Sequence, residues 1–143
     1  MTLRRLAQAA LVLALACPLA PAAPALAAAP AVRAVIQPPL PVEDFPGQVE
    51  RACRIWRGIG WPTNFRPVNF KISGPAYIRG SGPYHNRSGD LPSGGDYHEY
   101  DVNPHPTPII LPAAERLVRD DNTERTWYTN DHYANFREIA EGC

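Results

Sequence analysis

The spacing of apolar residues changes along the chain, and each change predicts a different element. Phe45, Val49, Ala52, Cys53 and Trp56 recur at helical spacing, the pattern of one apolar stripe on a helix. Asp44 is expected to cap that helix, with Pro46 tolerated in its first turn. Gly58, Gly60 and Pro62 end it. From Tyr97 to Val102 the period drops to two: as a strand this segment puts Tyr97, Glu99 and Asp101 on one face and His98, Tyr100 and Val102 on the other. Arg116–Arg119 and Trp127–Thr129 read as two further short strands, the second closed by the polar turn Asn130-Asp131. Between the first two strands, Pro104, Pro106, Pro108 and Pro112 exclude a helix or a central strand. Pro62 to Pro83 reads as irregular, with Val68–Ser73 its one strand-like stretch.

The N-terminal pattern is of another kind. Arg4 and Arg5 precede an apolar run from Leu6 to Ala16, followed by small residues that end in Ala25-Leu26-Ala27. This is the layout of a secretory signal peptide, too short for a comfortable membrane span, and it predicts a secreted or periplasmic protein with residues 1–27 removed. The alternative is a lipoprotein signal read through Leu13-Ala14-Leu15-Ala16-Cys17. Residues 28–41, with Pro30, Pro38, Pro39 and Pro41 and almost no charge, read as an extended linker. The globular domain is then 42–143, about a hundred residues and so one domain.

Composition changes this picture in two places. The full chain has 14 basic and 14 acidic residues, and loss of Arg4 and Arg5 leaves 12 against 14. No global polycation is available, so nucleic-acid binding would need a local basic patch. Lys71 is the only lysine, and Arg66 and Arg79 read as scattered surface charge. After export Cys53 and Cys143 are the two remaining cysteines, and an even pair in an oxidising compartment is most simply a disulfide.

The candidate chemistry lies between Tyr97 and Phe136. Glu99, Arg116 and His132, on three separate elements, supply a proton acceptor, a clamp for an anion and a proton donor, a set suited to phosphodiester cleavage. Each residue alone has an ordinary structural reading: Glu99 as a surface carboxylate paired with Arg116, His132 as a turn residue bonded to Asp131. His85, His98, His105 and His132 also raise the possibility of a metal, but no compact cluster at metal-ligand spacing is present.

Tyr97-His98-Glu99-Tyr100, Glu115-Arg116-Leu117-Val118 and Trp127 to Phe136, together with Asn86-Arg87-Ser88-Gly89-Asp90-Leu91-Pro92 upstream, resemble in order and spacing the secreted microbial guanyl-specific ribonucleases, the barnase-like bacterial enzymes. The resemblance implies an α+β fold, an N-terminal helix packed on an antiparallel β-sheet with the active site on the opposite face. It implies Glu99, Arg116 and His132 as catalytic residues, and His85, Asn86, Arg87 and Tyr133 as substrate-binding residues. The implied reaction is cleavage of single-stranded RNA through a 2′,3′-cyclic phosphate, with no metal or other cofactor; a monomer is expected, and if the enzyme acts as a toxin its producing cell needs an inhibitor protein. Some members carry a bridge similar to Cys53–Cys143. Two departures stand out. Ser88 occupies the position of a glutamate that accepts two hydrogen bonds from guanine, and a second arginine common before the one matched by Arg116 falls near Pro112 here. The expectation is therefore a ribonuclease whose guanine preference is open, the alternative being a catalytically impaired RNA- or protein-binding member of the same fold.

Overall fold

The computed structural model describes residues 35–108 and 113–143. The expected signal peptide, the lipoprotein cysteine Cys17 and Pro112 lie outside the described residues. Seven strands form one sheet in the order β1-β7-β6-β5-β4-β3-β2: β1 Val35–Leu40, β2 Val68–Ile72, β3 Ala76–Pro83, β4 Tyr97–Asp101, β5 Arg116–Asp120, β6 Thr126–Thr129 and β7 Asn135–Ile139. The single α-helix among them, α1, is Gly47–Gly58, preceded by a short 3-10 turn at Val42–Asp44.

Three expectations are corrected. Residues 35–40, read as linker, are a strand of the sheet, so the folded unit begins before Val42. Pro38 and Pro39 hid it: proline cannot donate to a ladder and is confined to sheet edges and bulges. Here both lie on the edge strand, where the register shifts between Gln37 and Leu40. The sheet is consequently mixed, because β1 pairs parallel with β7 while β2 to β7 form an antiparallel meander. The helix begins at Gly47, with Pro46 at the N-cap position and no side-chain cap; Asp44 belongs to the preceding turn.

The stretch read as irregular contains β3, which Gly80 and Gly82 concealed. These glycines are required by close approach. A Cβ on Gly80 would lie 2.8 Å from the Tyr100 Cα and 2.9 Å from the Trp56 ring, and one on Gly82 2.5 Å from Pro67.

The helical stripe does what its spacing predicts. Val49, Ala52, Cys53 and Trp56 are fully buried against Ile78, Tyr100, Leu117, Tyr128 and Ile139 on one face of the sheet. Trp56 also donates from Nε1 to the Asp101 carbonyl, 2.8 Å away, so the polar atom of the largest core residue is satisfied. Cys53 is bonded to Cys143, tying the helix to the last residue. The opposite face carries a second apolar cluster, Leu91, Tyr97, Val118, Trp127 and Phe136, with Tyr84 and Tyr133 packed on it. Strand alternation alone separates the two clusters, and it sends Glu99 and Asp101 to the face away from α1.

Candidate active site

Glu99 projects from the middle of β4, facing Val118 across the ladder. Arg116 opens β5 opposite Asp101 and is 5% exposed. Its Nη1 lies 2.8 Å from Asp101 Oδ1 and also donates to the Glu115 carbonyl at 3.2 Å. His132 and Tyr133 come from the turn between β6 and β7, both at positive φ, 56° and 72°.

Two left-handed residues in succession are costly, and the side chains around them hold the turn in place. Asp131 Oδ1 accepts from the Thr129 hydroxyl and the Asn135 amide, each at 2.9 Å, and Oδ2 accepts from Asn135 Nδ2 at 2.6 Å. The Tyr133 amide donates to Thr129 Oγ1 at 3.0 Å, and the His132 amide to the Ala114 carbonyl at 3.0 Å. Burial alone would raise the Asp131 pKa; the bonds from Asn135, Thr129 and Ala134 outweigh it and lower the value.

Tyr133 is where the three expected catalytic residues meet. Its hydroxyl donates to Glu99 Oε2, the Arg116 guanidinium is near enough to pull its pKa down, and its ring centroid lies 4.8 Å from that of His132. Burial, and then the Glu99 carboxylate, push the Tyr133 pKa upward, so the phenol stays a donor through neutral pH. Tyr84 leans on Tyr133 at 5.0 Å and 35°, and its own pKa is raised chiefly by burial.

Pro83, Tyr84, His85, Asn86, Arg87, Ser88 and Glu99 line a cavity of about 380 Å³, so the loop after β3 and strand β4 share one hollow. A larger hollow of about 890 Å³ lies against the Leu91–Tyr97 side of the same loop, and Glu99 does not line it.

Within the loop the expected substrate-binding residues divide. His85 and Arg87 are exposed. Asn86 turns inward: at φ 43° its Nδ2 donates to the Leu91 carbonyl at 2.8 Å and its Oδ1 accepts from the Leu91 amide at 3.0 Å. Its side chain is thus engaged in closing the loop, and what it offers a ligand is backbone. The Ser88 side chain is hydrogen-bonded with Tyr84.

Sequence reasoning missed Asp101. Its position two residues from Glu99 placed it on the catalytic face, but nothing in the pattern distinguished it from a surface carboxylate. In the fold it is 2% exposed, and its Oδ2 is buried without a hydrogen-bond partner among the described residues. Burial pushes its pKa up to about 6, against the pull of Arg116, His105 and Arg79. Among the described residues no three His, Cys, Asp or Glu side chains gather as a metal site.

Comparison with known proteins decides the family. A ribonuclease family profile matches residues 31–140, which spans β1 to β7. This chain belongs to the ribonuclease family. Guanyl-specific ribonuclease Sa3 of Kitasatospora aureofaciens is 39% identical over 62 residues, covering 42% of this chain and 43% of that protein. Guanyl-specific ribonuclease Sa of the same organism is 37% identical over 67 residues, covering 42% of this chain and 62% of the relative. The match thus spans less than two thirds of either relative's length. The family match begins at residue 31, inside the segment read as linker, in keeping with β1 as part of the fold.

Proposed function

We propose that this chain is an exported endoribonuclease that cleaves single-stranded RNA without a metal, in two steps. The observation that carries this reading is the convergence on Tyr133 of Glu99, Arg116 and His132, each delivered by a different element, with Glu99 lining the cavity under the loop after β3. In the first step ionised Glu99 takes the proton of the ribose 2′-hydroxyl while that oxygen bonds to phosphorus. Protonated His132 gives its proton to the departing 5′-oxygen as the P–O5′ bond breaks, leaving a 2′,3′-cyclic phosphate. In the second, His132 accepts a proton from water as the water oxygen bonds to phosphorus, the P–O2′ bond breaks, and Glu99 returns a proton to the departing 2′-oxygen, leaving a 3′-phosphate. Arg116, a planar donor already fixed by Asp101, and the Tyr133 hydroxyl face the charge that grows on the non-bridging oxygens. The attacking oxygen is the substrate's own 2′-hydroxyl, so DNA is not a substrate.

Guanine preference is the finer part of the reading. Ser88 offers one hydroxyl, bonded with Tyr84, where paired acceptance from guanine needs two oxygens. The exposed loop backbone and the Tyr84 ring favour stacking a base without strict selection. A binding-only reading draws its support from the same Ser88 and from the commitment of Arg116 to Asp101.

The oxidised chain, incubated with dinucleotides of each 5′ base in the presence of chelator, decides between them. Cyclic product from wild type, reduced about 10²- to 10⁴-fold in Glu99→Gln and in His132→Gln, is the expected result. A folded wild type that cleaves none of the dinucleotides sinks the enzyme reading and leaves RNA binding.

A further inference from the structure

The catalytic face is short of positive charge. Glu99 and Asp101 are both acidic, and the buried cation between them and the substrate, Arg116, is 2.8 Å from Asp101. A phosphodiester approaching this face meets the Glu99 carboxylate and an arginine already paired, the exposed Arg87 being on the loop at the Pro83 end.

The other arginines of the sheet are either held by partners or turned to the helix side, as is Arg137, whose buried Nε has no hydrogen-bond partner among the described residues. Arg125 is held by Glu138 at 2.7 and 2.6 Å. Arg119 lies over the Trp61 ring and donates to the Glu124 carbonyl. Arg137 shares the register of Tyr128, on the helix side.

Arg79 differs from all of these. It sits on β3 between Ile78 and Gly80, which face Trp56 and the helix, so alternation sends its side chain to the Glu99 face. The ladder sets Gly80 against Tyr100, which brings Arg79 beside Asp101, and its charge lowers the Asp101 pKa. It is half-buried, and among the described residues no hydrogen bond or ion pair holds its guanidinium. A half-buried arginine with no hydrogen-bond partner among the described residues, beside the buried Asp101 carboxylate, is placed to receive an anion.

The direction of the strands says which anion. The loop that lines the cavity leaves β3 at Pro83, paired with His98, whereas Arg79 and Asp101 lie at the other end of β3 and β4, one same-face step of about 7 Å beyond Glu99. A nucleotide whose base sits under the loop has its leaving group directed to His132, which follows Thr129 at the same end of the sheet as Asp101 and Arg79, because Thr129, Arg116 and Asp101 share one register.

We propose that Arg79 binds the RNA backbone phosphate that follows the scissile one, supplying from β3 a cation for the leaving strand. This rests on the ribonuclease reading for the identity of the ligand, and the test separates the two.

The first measurement is binding of an all-2′-deoxy single-stranded oligonucleotide, which this chemistry cannot cleave, over a range of salt to wild type, Arg79→Ala, Arg79→Lys and the double variant Arg79→Ala with Asp101→Asn. Loss of one phosphate contact lowers the log–log salt slope by about 0.7. Arg79→Ala is expected to show that drop, Arg79→Lys to keep the wild-type slope, and the double variant not to recover it. An unchanged slope in Arg79→Ala, with wild-type near-ultraviolet circular dichroism, overturns the proposal. So does recovery in the double variant, which would mean that Arg79 serves only to neutralise Asp101.

The second measurement is cleavage of a dinucleoside monophosphate against a trinucleotide carrying one more phosphate on the 3′ side. A fall of about tenfold in kcat/KM confined to the trinucleotide supports the placement, and an equal fall on both overturns it. Wild type cleaving neither defeats the ribonuclease reading alone, since the salt slope still reports whether Arg79 holds a phosphate.

Discussion

The two faces of the sheet each carry an apolar cluster but differ in what is buried beside it. The face under α1 buries Val49, Ala52, Cys53, Trp56, Ile78, Tyr100 and Leu117, residues that need only an apolar neighbour of the right shape, and a disulfide closes it. Both faces bury charged groups, but not to the same depth: His98 and Arg119 on the helix side are 9% and 8% exposed, whereas Arg116 and Asp101 on the opposite face are 5% and 2% exposed and pair with each other. Burying a charge costs several kcal/mol per ion before pairing returns part of it. A fold accepts that cost where a site needs fixed donors and a dry environment. The comparison teaches that the helix side rests on apolar fit and a disulfide, while the face that carries Glu99 holds a deeply buried ion pair beside the candidate site.

Removing the bridge tests the helix side most severely. Cys53→Ala with Cys143→Ala opens a loop with a sequence separation of 90 residues, for which loop entropy predicts a loss of about 4–5 kcal/mol. Urea unfolding should show that loss, while kcat measured well below the lowered Tm stays within about twofold of wild type. A comparable collapse of kcat in still-folded protein would mean that the two faces are not independent.

Asp101 tests the side that carries Glu99. Its folded pKa, about 6 against an ordinary 3.8, is raised mainly by burial, so between those values the folded state binds more protons than the unfolded one. Stability must therefore fall as pH rises from about 4 to about 6, by at most about 3 kcal/mol from this group. Urea midpoints for wild type should show that decline, and Asp101→Asn, which cannot titrate, should lose it. A variant with the wild-type slope would assign the decline to another group.

The smallest change probes the turn that joins the faces. Asp131→Ala removes the three acceptor contacts that hold the left-handed His132 and Tyr133, with an expected loss of about 1 kcal/mol in stability, on the scale of a lost cap. The loss in kcat should be nearer tenfold, since a small displacement of a proton donor is amplified in the rate. Because Asp131 has a lowered pKa, its stabilisation is present near neutrality and disappears as pH falls through the folded value. Equal proportional losses in stability and kcat would reduce Asp131 to an ordinary turn former.

Much of this molecule was written in local pattern. The period of 3.6 from Val49 to Trp56 and the period of two from Tyr97 to Val102 identified the helix, the central strand and the face that carries Glu99, because a repeating pattern needs only its own segment to be read. The ordered segments from Glu99 to Tyr133 carried the family. What stayed hidden was fixed by partners distant in the chain. β1 is a strand only because β7 pairs with it, despite Pro38 and Pro39. β3 is a strand only because Trp56 and Tyr100 leave no room for more than glycine at position 80. Asp101 is a buried ion-pair member only because Arg116 stands opposite it. Sequence determined which residues could do the chemistry; the tertiary structure decided which of them are withdrawn from water and paired, since burial and Coulomb attraction depend on neighbours that no local period records.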